Sequence, residues 1–594
     1  MINKYPGTCT ECSTRVEAGE GEAYKGNDGR WAVRHAGCAS QEPAGAPESA
    51  GAVSLRAAVV RAPAASSDDV YTLLSGHTAS PYQAAIFEHA KYGRGSVIVK
   101  ARAGVGKTTT MKNMVVYLPP RAHVQLFAFG TEAAAQLDDA IKELAARYPD
   151  RSFRDVRAGT FHSVGMAAVL RHLNLPKSQI VVDPGKCLKL LREWLCVTPE
   201  GEETFGLYSA FVRDLVEKAK GEGIGPLVAD TEDRWWTIVD HYGLYLDSEE
   251  ANPATGIEIA RELLARSNAA ARQGLIDFAD MLYLVCLWKL RLWRNDVVIV
   301  DEAQDTNPVR RAMTHLALKD GGRLFAVGDD RQSIMGFTGA STDALDVIAR
   351  EFNTRELPLT VSYRCSRAVV EMAQTWVPDI ESAPGAAEGE VLNNVSLQNT
   401  LARLTATDAI LCRQTAPLVT VAYGLIARGR PCRILGREIG EGLVNLIERQ
   451  KARGIDRLVE KLNHFREREV AKFIARAQER QAEAVGDRVD CALVLIGGLA
   501  ETERTIPALI EKIRSMFQDD KKGEKQTVLT LCTCHKAKGK EWQQVAILRP
   551  ELMPSKAARQ DWQICQEENL QYVAATRAKE TLIYIRDEDM ELGK

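Results

Sequence analysis

The chain has 594 residues, 45% of them hydrophobic and 26% charged, with a formal net charge of -3. That length is too great for one core and, at roughly 100–200 residues per domain, implies three to five units. No run approaches the ~20 apolar residues of a membrane span, which excludes a spanning helix, and a near-neutral balance selects no partner, since a basic groove can hide within it.

In chain order, Met1–Pro6 carries no secretory signal and leads into Cys9-x2-Cys12, matched by His35-x2-Cys38. Three thiolates and an imidazole at this spacing make a closed tetrahedral Zn²⁺ site, whose metal would supply the folding free energy of so small a segment. Residues 1–39 therefore read as a zinc-binding module. Arg15, Lys25, Arg30, Trp31 and Arg34 offer it charge and an aromatic for nucleic acid, a protein partner or neither. The remaining thiols among 13 Cys are scattered through apolar segments, which fits a reduced, cytoplasmic protein. Residues 40–70, rich in Ala, Pro, Ser and Gly, read as a flexible linker.

From Ser80 the pattern is α/β. A helix is expected over 81–92 and a buried strand over 96–100, and further strands over 124–129, 297–305 and 323–330. Strands alternating with helices imply a parallel sheet covered on both faces, with ligands at the strands' carboxyl ends. A helical insertion at 166–270 separates two parts of this first domain, 71–165 and 271–345. A second α/β domain is expected at 346–440 and 525–594, with strands near 409–412, 431–435, 527–533, 545–549 and 581–586. A short helical insertion at 441–524 divides it.

The chemistry begins at Ala101–Thr108, ARAGVGKT, between a strand and a helix. Gly104 and Gly106 let backbone amides, with those of Ala103 and Val105, turn towards phosphate oxygens at a helix N-terminus. Lys107 should reach the β- and γ-phosphates and Thr108 should coordinate Mg²⁺. After the apolar run VVIV, Asp301 suits the Mg²⁺ ion and Glu302 suits orientation of an attacking water. Loop and carboxylates together point to nucleoside triphosphate hydrolysis.

The ordered segments SPYQ (80–83), ARAGVGKTT (101–109), AFGTEAAA (128–135), GTFHS (159–163), IDFADML (276–282), DEAQD (301–305), VGDDRQSIMGFTGA (327–340), LTVSYRCS (359–366), TCHKAKGKEW (533–542) and EENLQYVAATRAK (567–579) resemble a superfamily 1 helicase of the UvrD/Rep type. The resemblance spans about 75–345 and 355–590. It implies two RecA-like P-loop motor domains with helical insertions, ATP as the fuel, and 3′-to-5′ movement on single-stranded DNA or a duplex with a single-stranded tail.

Residue by residue, the resemblance implies that Gln83 reads the adenine edge, Tyr363 stacks on adenine and Glu541 holds the ribose. Thr109 and Gly539 also fall at the nucleotide. Gln332 would couple γ-phosphate sensing to DNA, while Arg364 and Arg577 would meet the γ-phosphate from the second domain. Thr160, Phe161, His162, Phe337, Thr533 and His535 fall along the strand, with Lys536 and Lys538 holding backbone or supporting the closed interface.

Departures are Gly130-Thr131-Glu132 in place of Thr-Asn-Lys, Met335 for Tyr, Thr338 for Arg and Thr109 for an adenine-flanking Arg. They bear on base stacking and adenine affinity. A monomeric motor in a bacterial or phage-like host is expected. Nucleoprotein remodelling without processive unwinding, an RNA-directed motor and a non-enzymatic scaffold are the other classes.

Overall fold

The computed structural model describes residues 71–244, 246, 251–334, 343–475, 479–517 and 528–586, with the backbone of four short strands nearer the amino terminus. The chain divides into two compact units, Met1–Ala58 and Val59–Lys594. In the first, Gly7–Thr8 pairs antiparallel with Arg15–Val16, and Gly21–Lys25 with Trp31–His35. Cys9, Cys12, Cys38, the side chain of His35 and the 40–70 linker lie outside the described residues.

The second unit holds two parallel six-stranded sheets. The first runs in the order Arg355–Leu359, Val97–Ala101, Leu318–Gly328, Asn295–Val300, Val124–Ala128, Val156–Thr160. Its central strands are near-continuous apolar runs because both faces are covered. Val97, Val99, Val297, Ile299 and Phe325 enter one core. Ile98, Val298, Val300, Leu324 and Ala326 enter the opposite one, alternating as the pleat requires. That second core continues into the helical insertion, with Phe211, Trp235 and Leu263 fully or nearly fully buried. Trp235 also donates its indole N–H to Asp230 at 2.7 Å.

The second sheet runs Glu390–Val395, Ala578–Ile585, Trp542–Leu548, Ala409–Cys412, Leu529–Thr533, Cys432–Ile434. Among the described residues its shorter insertion holds four α-helices, Arg437–Arg449, Ile455–Ala475, Glu479–Gly497 and Ile506–Met516. Arg355–Leu359 lies on the edge of the first sheet, so that sheet draws on the chain beyond residue 345, where the sequence put the domain boundary. Parallel strands need crossovers, and this one returns the chain to the first sheet after the strand Leu318–Gly328. Among the described residues no helix is long and apolar enough to cross a membrane.

Candidate nucleotide and nucleic-acid site

The phosphate loop leaves the carboxyl end of Val97–Ala101 and enters the helix Lys107–Tyr117. Gly104 and Gly106 take φ of 73° and 77°, a region costly for any side chain. A Cβ on Gly104 would also meet Cβ of Arg364 at 2.5 Å and Oγ of Ser362 at 2.6 Å, so glycine here admits the second domain as well as a phosphate. That approach is pinned by the Tyr363 N–H, which donates to the Gly104 carbonyl at 2.9 Å.

Between the two sheets lies a cleft of about 950 Å³. It gathers Gly104, Val105, Gly106, Lys107, Thr108, Thr109, Glu302, Gln332, Tyr363, Arg364, Gly539, Glu541 and Arg577 from segments spread over the chain. Tyr363 is 54% exposed, presenting a ring face to a planar ligand. Lys107 Nζ lies 2.8 Å from Glu302 Oε2. Burial opposes the charge on Lys107, but Glu302, Asp301 and Asp329 outweigh it and raise its pKa. Glu302 adopts φ 48° at the turn that presents it. Burial opposes its charge too, yet Lys107, Lys538 and Gln304 hold the carboxyl down at about 2.

Asp301, 7% exposed, is pushed up to about 7 by burial and then by Glu302, with Lys107 offsetting part of the rise. Asp301 is not on the cleft wall itself but adjoins Glu302, which is, and its carboxyl with the Thr108 hydroxyl on that wall are oxygen donors of the kind a hard dication takes, so Mg²⁺ fits them by type.

The arginines differ. Arg364 donates to Glu541 Oε2 at 2.6 Å, and Glu541 also pairs with Lys579 at 2.7 Å. Arg577 is 1% exposed and donates to Val573 O at 2.8 Å, Lys540 O at 3.2 Å and Thr576 Oγ1 at 3.1 Å, none of them a carboxylate. Burial, then the neighbouring Arg364, lowers its pKa to about 9. Two adjacent guanidinium groups, one of them sealed from water, make a place where an anion is strongly favoured.

Two residues expected at the nucleotide lie off this cleft wall. Gln83 is 3% exposed and absent from the cleft wall. Its amide is spent, Nε2 donating to Thr110 Oγ1 at 3.1 Å and Oε1 accepting from Ser80 N at 3.0 Å, where it closes a capping box at the start of Pro81–Tyr92. Ala103 is fully buried, and its N–H donates to Tyr572 Oη at 2.8 Å instead of turning to the cleft.

The comparisons with known proteins agree with this architecture. The UvrD/REP helicase N-terminal domain matches residues 82–353, and the UvrD-like helicase C-terminal domain matches 445–588. Together these spans take in more than half of the chain. The chain belongs to the UvrD/REP helicase family.

DNA helicase II of Escherichia coli is 24% identical, covering 82% of this chain and 82% of its own length. ATP-dependent DNA helicase UvrD2 of Mycobacterium tuberculosis is 27% identical over 82% of this chain and 76% of its own. DNA helicase II of Haemophilus influenzae is 24% identical over 48% of this chain, and the match spans only 38% of that relative.

Within this UvrD/REP chain the expected strand-contacting residues divide. Phe337 lies outside the described residues, as do Met335 and Thr338. Phe161, expected to touch a strand, is 3% exposed and stacks on Phe127 with centroids 4.1 Å apart and planes 4° apart, so it is a core residue here. Thr160 is spent as the N-cap of Phe161–Leu173, accepting from Ser163 N at 3.1 Å. His535 is enclosed, and burial, then Arg413, brings its pKa down to about 3. A neutral, enclosed ring offers a phosphate no charge. Thr533 is partly exposed and accepts weakly from Lys536 N at 3.4 Å. Lys536 pairs with Glu438, while Lys538 Nζ bridges the domains to Asp305 Oδ2 at 2.6 Å.

His162 lines a separate cavity of about 390 Å³ with Lys218, Phe278, Asn307 and Arg310. Phe278 is 55% exposed. Arg310 lies over the ring of Phe129, 4.5 Å from its centroid, and Phe129 is 37% exposed on the rim of the nucleotide cleft. Phe129, Arg310 and Phe278 were not singled out from the sequence. Phe129 and Phe278 stand inside recognised segments, and the signal for them is an aromatic just past a strand or in a turn. Arg310 carries no comparable signal.

Proposed function

We propose that the chain is an ATP-dependent DNA helicase and single-stranded DNA translocase that moves 3′-to-5′, powered at the cleft between its two parallel-sheet domains. The observation that carries this reading is the convergence of Lys107, Glu302, Arg364 and Arg577 on one cleft, two from each domain. Its similarity to DNA helicases supports DNA as the substrate.

In this reading the loop amides of Gly104 to Lys107 cradle the phosphates of ATP, and Tyr363 stacks on the base. Thr108 and Asp301 would hold Mg²⁺, which when bound screens phosphate charge. Lys107 leaves Glu302 for a phosphate oxygen, freeing the carboxylate to orient the attacking water. Arg364 makes the matching exchange, leaving Glu541 for the γ-phosphate as Arg577 meets it from behind. Charge spread over the transferred group in the transition state is thus met from both domains, which ties hydrolysis to closure. Phe129, Arg310, His162 and Phe278 form a row of rings and cations suited to bases and phosphates of a single strand.

At the amino terminus Cys9, Cys12, His35 and Cys38 are proposed to hold one structural Zn²⁺, supported by their spacing, in a module that contacts nucleic acid or a protein partner. Metal analysis of the purified chain should find one zinc per molecule, lost in a Cys9→Ser, Cys12→Ser variant; a chain free of zinc ends that proposal. A monomeric, cytoplasmic motor completes the reading.

Single-stranded DNA should stimulate ATP hydrolysis by about tenfold or more, as binding that favours closure must. Strand displacement on 3′-tailed and 5′-tailed duplexes, in DNA and RNA forms, should succeed on 3′-tailed DNA alone. Stimulation without displacement would favour a remodeller, a reading that the short four-helix insertion also suits. Absence of stimulation by any nucleic acid would remove the motor.

A further inference from the structure

Arg102 is the second residue of the phosphate loop, yet it is not part of the nucleotide cleft wall. Its side chain, 10% exposed, instead meets three carboxylates. Nη1 donates to Asp329 Oδ1 at 3.1 Å and to Asp330 Oδ1 at 2.6 Å. Nε and Nη2 grip Asp379, at 2.9 Å to Oδ1 and 2.8 Å to Oδ2, in a bidentate fork.

These partners belong to different domains. Asp329 and Asp330 follow the strand Leu318–Gly328 of the first sheet. Asp379 follows the helix Arg367–Ala373, whose Val369, Val370 and Ala373 pack with Val377 and Ile380 against Leu411, Leu570 and Leu582 of the second core. One guanidinium therefore spans the seam.

Asp329 passes this link onward. It is fully buried, and while Oδ1 takes Arg102, Oδ2 takes Gln332 Nε2 at 2.7 Å and Tyr572 Oη at 3.4 Å. Gln332 lines the nucleotide cleft. A buried ion pair adds little net stability but fixes geometry, so this cluster is better suited to orientation than to holding the fold.

We propose that Arg102 is a positioning residue that makes the orientation of Gln332 depend on closure of the two motor domains. Asp379 sits where the domains meet, its helix packed in the second core while Glu381, two residues on, accepts from Tyr82 Oη and Thr360 Oγ1 of the first, so parting of the domains would pull on the Asp379 fork while Asp329 and Asp330 stay with the loop. Only the closed arrangement clamps the guanidinium plane from both sides, and with it Asp329 and Gln332. The inference rests on the proposed reading of the chain as a DNA-activated ATPase.

The test is steady-state ATP hydrolysis by the full chain with and without a single-stranded oligo-dT. Asp379→Asn, at a half-exposed position away from the cleft, should leave basal turnover and the KM for ATP within about twofold while lowering DNA-stimulated kcat by about tenfold. Arg102→Gln should lose at least as much, and the double variant no more than Arg102→Gln alone, because both cut one link. Arg102→Lys keeps the charge but not the fork and should resemble Arg102→Gln. DNA-stimulated kcat of Asp379→Asn within about twofold of the parent, or losses that multiply in the double variant, would overturn the proposal. Should Arg102→Gln fail to fold, the Asp379→Asn result decides alone. A parent that DNA does not stimulate overturns the proposed function, and this inference with it.

Discussion

Lys107→Ala is expected to lower DNA-stimulated ATP turnover by about 10³-fold and to weaken nucleotide binding, whereas Glu302→Gln should lower turnover by a similar factor with binding intact. The difference follows from what each group does. Lys107 is a charged ammonium 2.8 Å from Glu302, and it is the cation that a phosphate would claim. Removing it strips the cleft of that charge and leaves Glu302 facing the phosphates uncompensated. Glutamine keeps the size of Glu302 and its contact with Gln304, but it cannot accept a proton from water or hold its orientation as a carboxylate does. It also removes a negative charge from beside the phosphates, so affinity should hold or improve. Both side chains border the cleft, at 14% and 30% exposure, so neither change opens a core. Turnover assays paired with fluorescent-nucleotide titrations separate the two signatures. Turnover within about tenfold of the parent in both variants would remove this pair from the site.

Much of this was legible in the sequence, and the reason is physical. The inner strands of both sheets are buried on both faces and so read as unbroken apolar runs, as in Val97–Ala101 or Ala409–Cys412. In the two six-stranded sheets the strands that escaped notice are edges. Val156–Thr160, Arg355–Leu359 and Glu390–Val395 are each covered on fewer sides and carry Arg, Glu or Asn where an inner strand carries Val or Ile. The same division holds at the site. Motif and context pointed to Lys107 and Glu302, and the family resemblance pointed to Arg364 and Arg577, because their chemistry depends on residue type. It could not show that Gln83 closes a helix cap, that Phe161 lies flat against Phe127, or that Arg102 turns from the phosphates to three aspartates. The cap is local, since Ser80 and Gln83 have capping-box spacing, but the other two depend on partners tens to hundreds of residues away, which no local pattern records.

Arg577→Lys carries the second large expectation, a fall of about 10³-fold or more in DNA-stimulated turnover with ATP affinity little changed. The argument turns on the state of the guanidinium before any nucleotide arrives. Arg577 is sealed from water, and Arg364 lies beside it. Its three hydrogen bonds go to two backbone carbonyls and a hydroxyl, so no negative group offsets the charge by direct contact. With a pKa near 9 it remains charged at neutral pH, and the fold bears that cost. An anion entering the cleft relieves it, and the relief grows as negative charge spreads over the transferred phosphoryl oxygens, so the interaction favours the transition state over bound ATP. Lysine preserves the charge but is a single point. It cannot keep the carbonyls of Val573 and Lys540 satisfied while reaching towards the cleft. Any loss of folding is checked separately, since a thermal melt reports it and a turnover ratio does not. A well-folded Arg577→Lys chain that hydrolyses ATP within about tenfold of the parent would show that the second domain acts on the γ-phosphate through Arg364 alone.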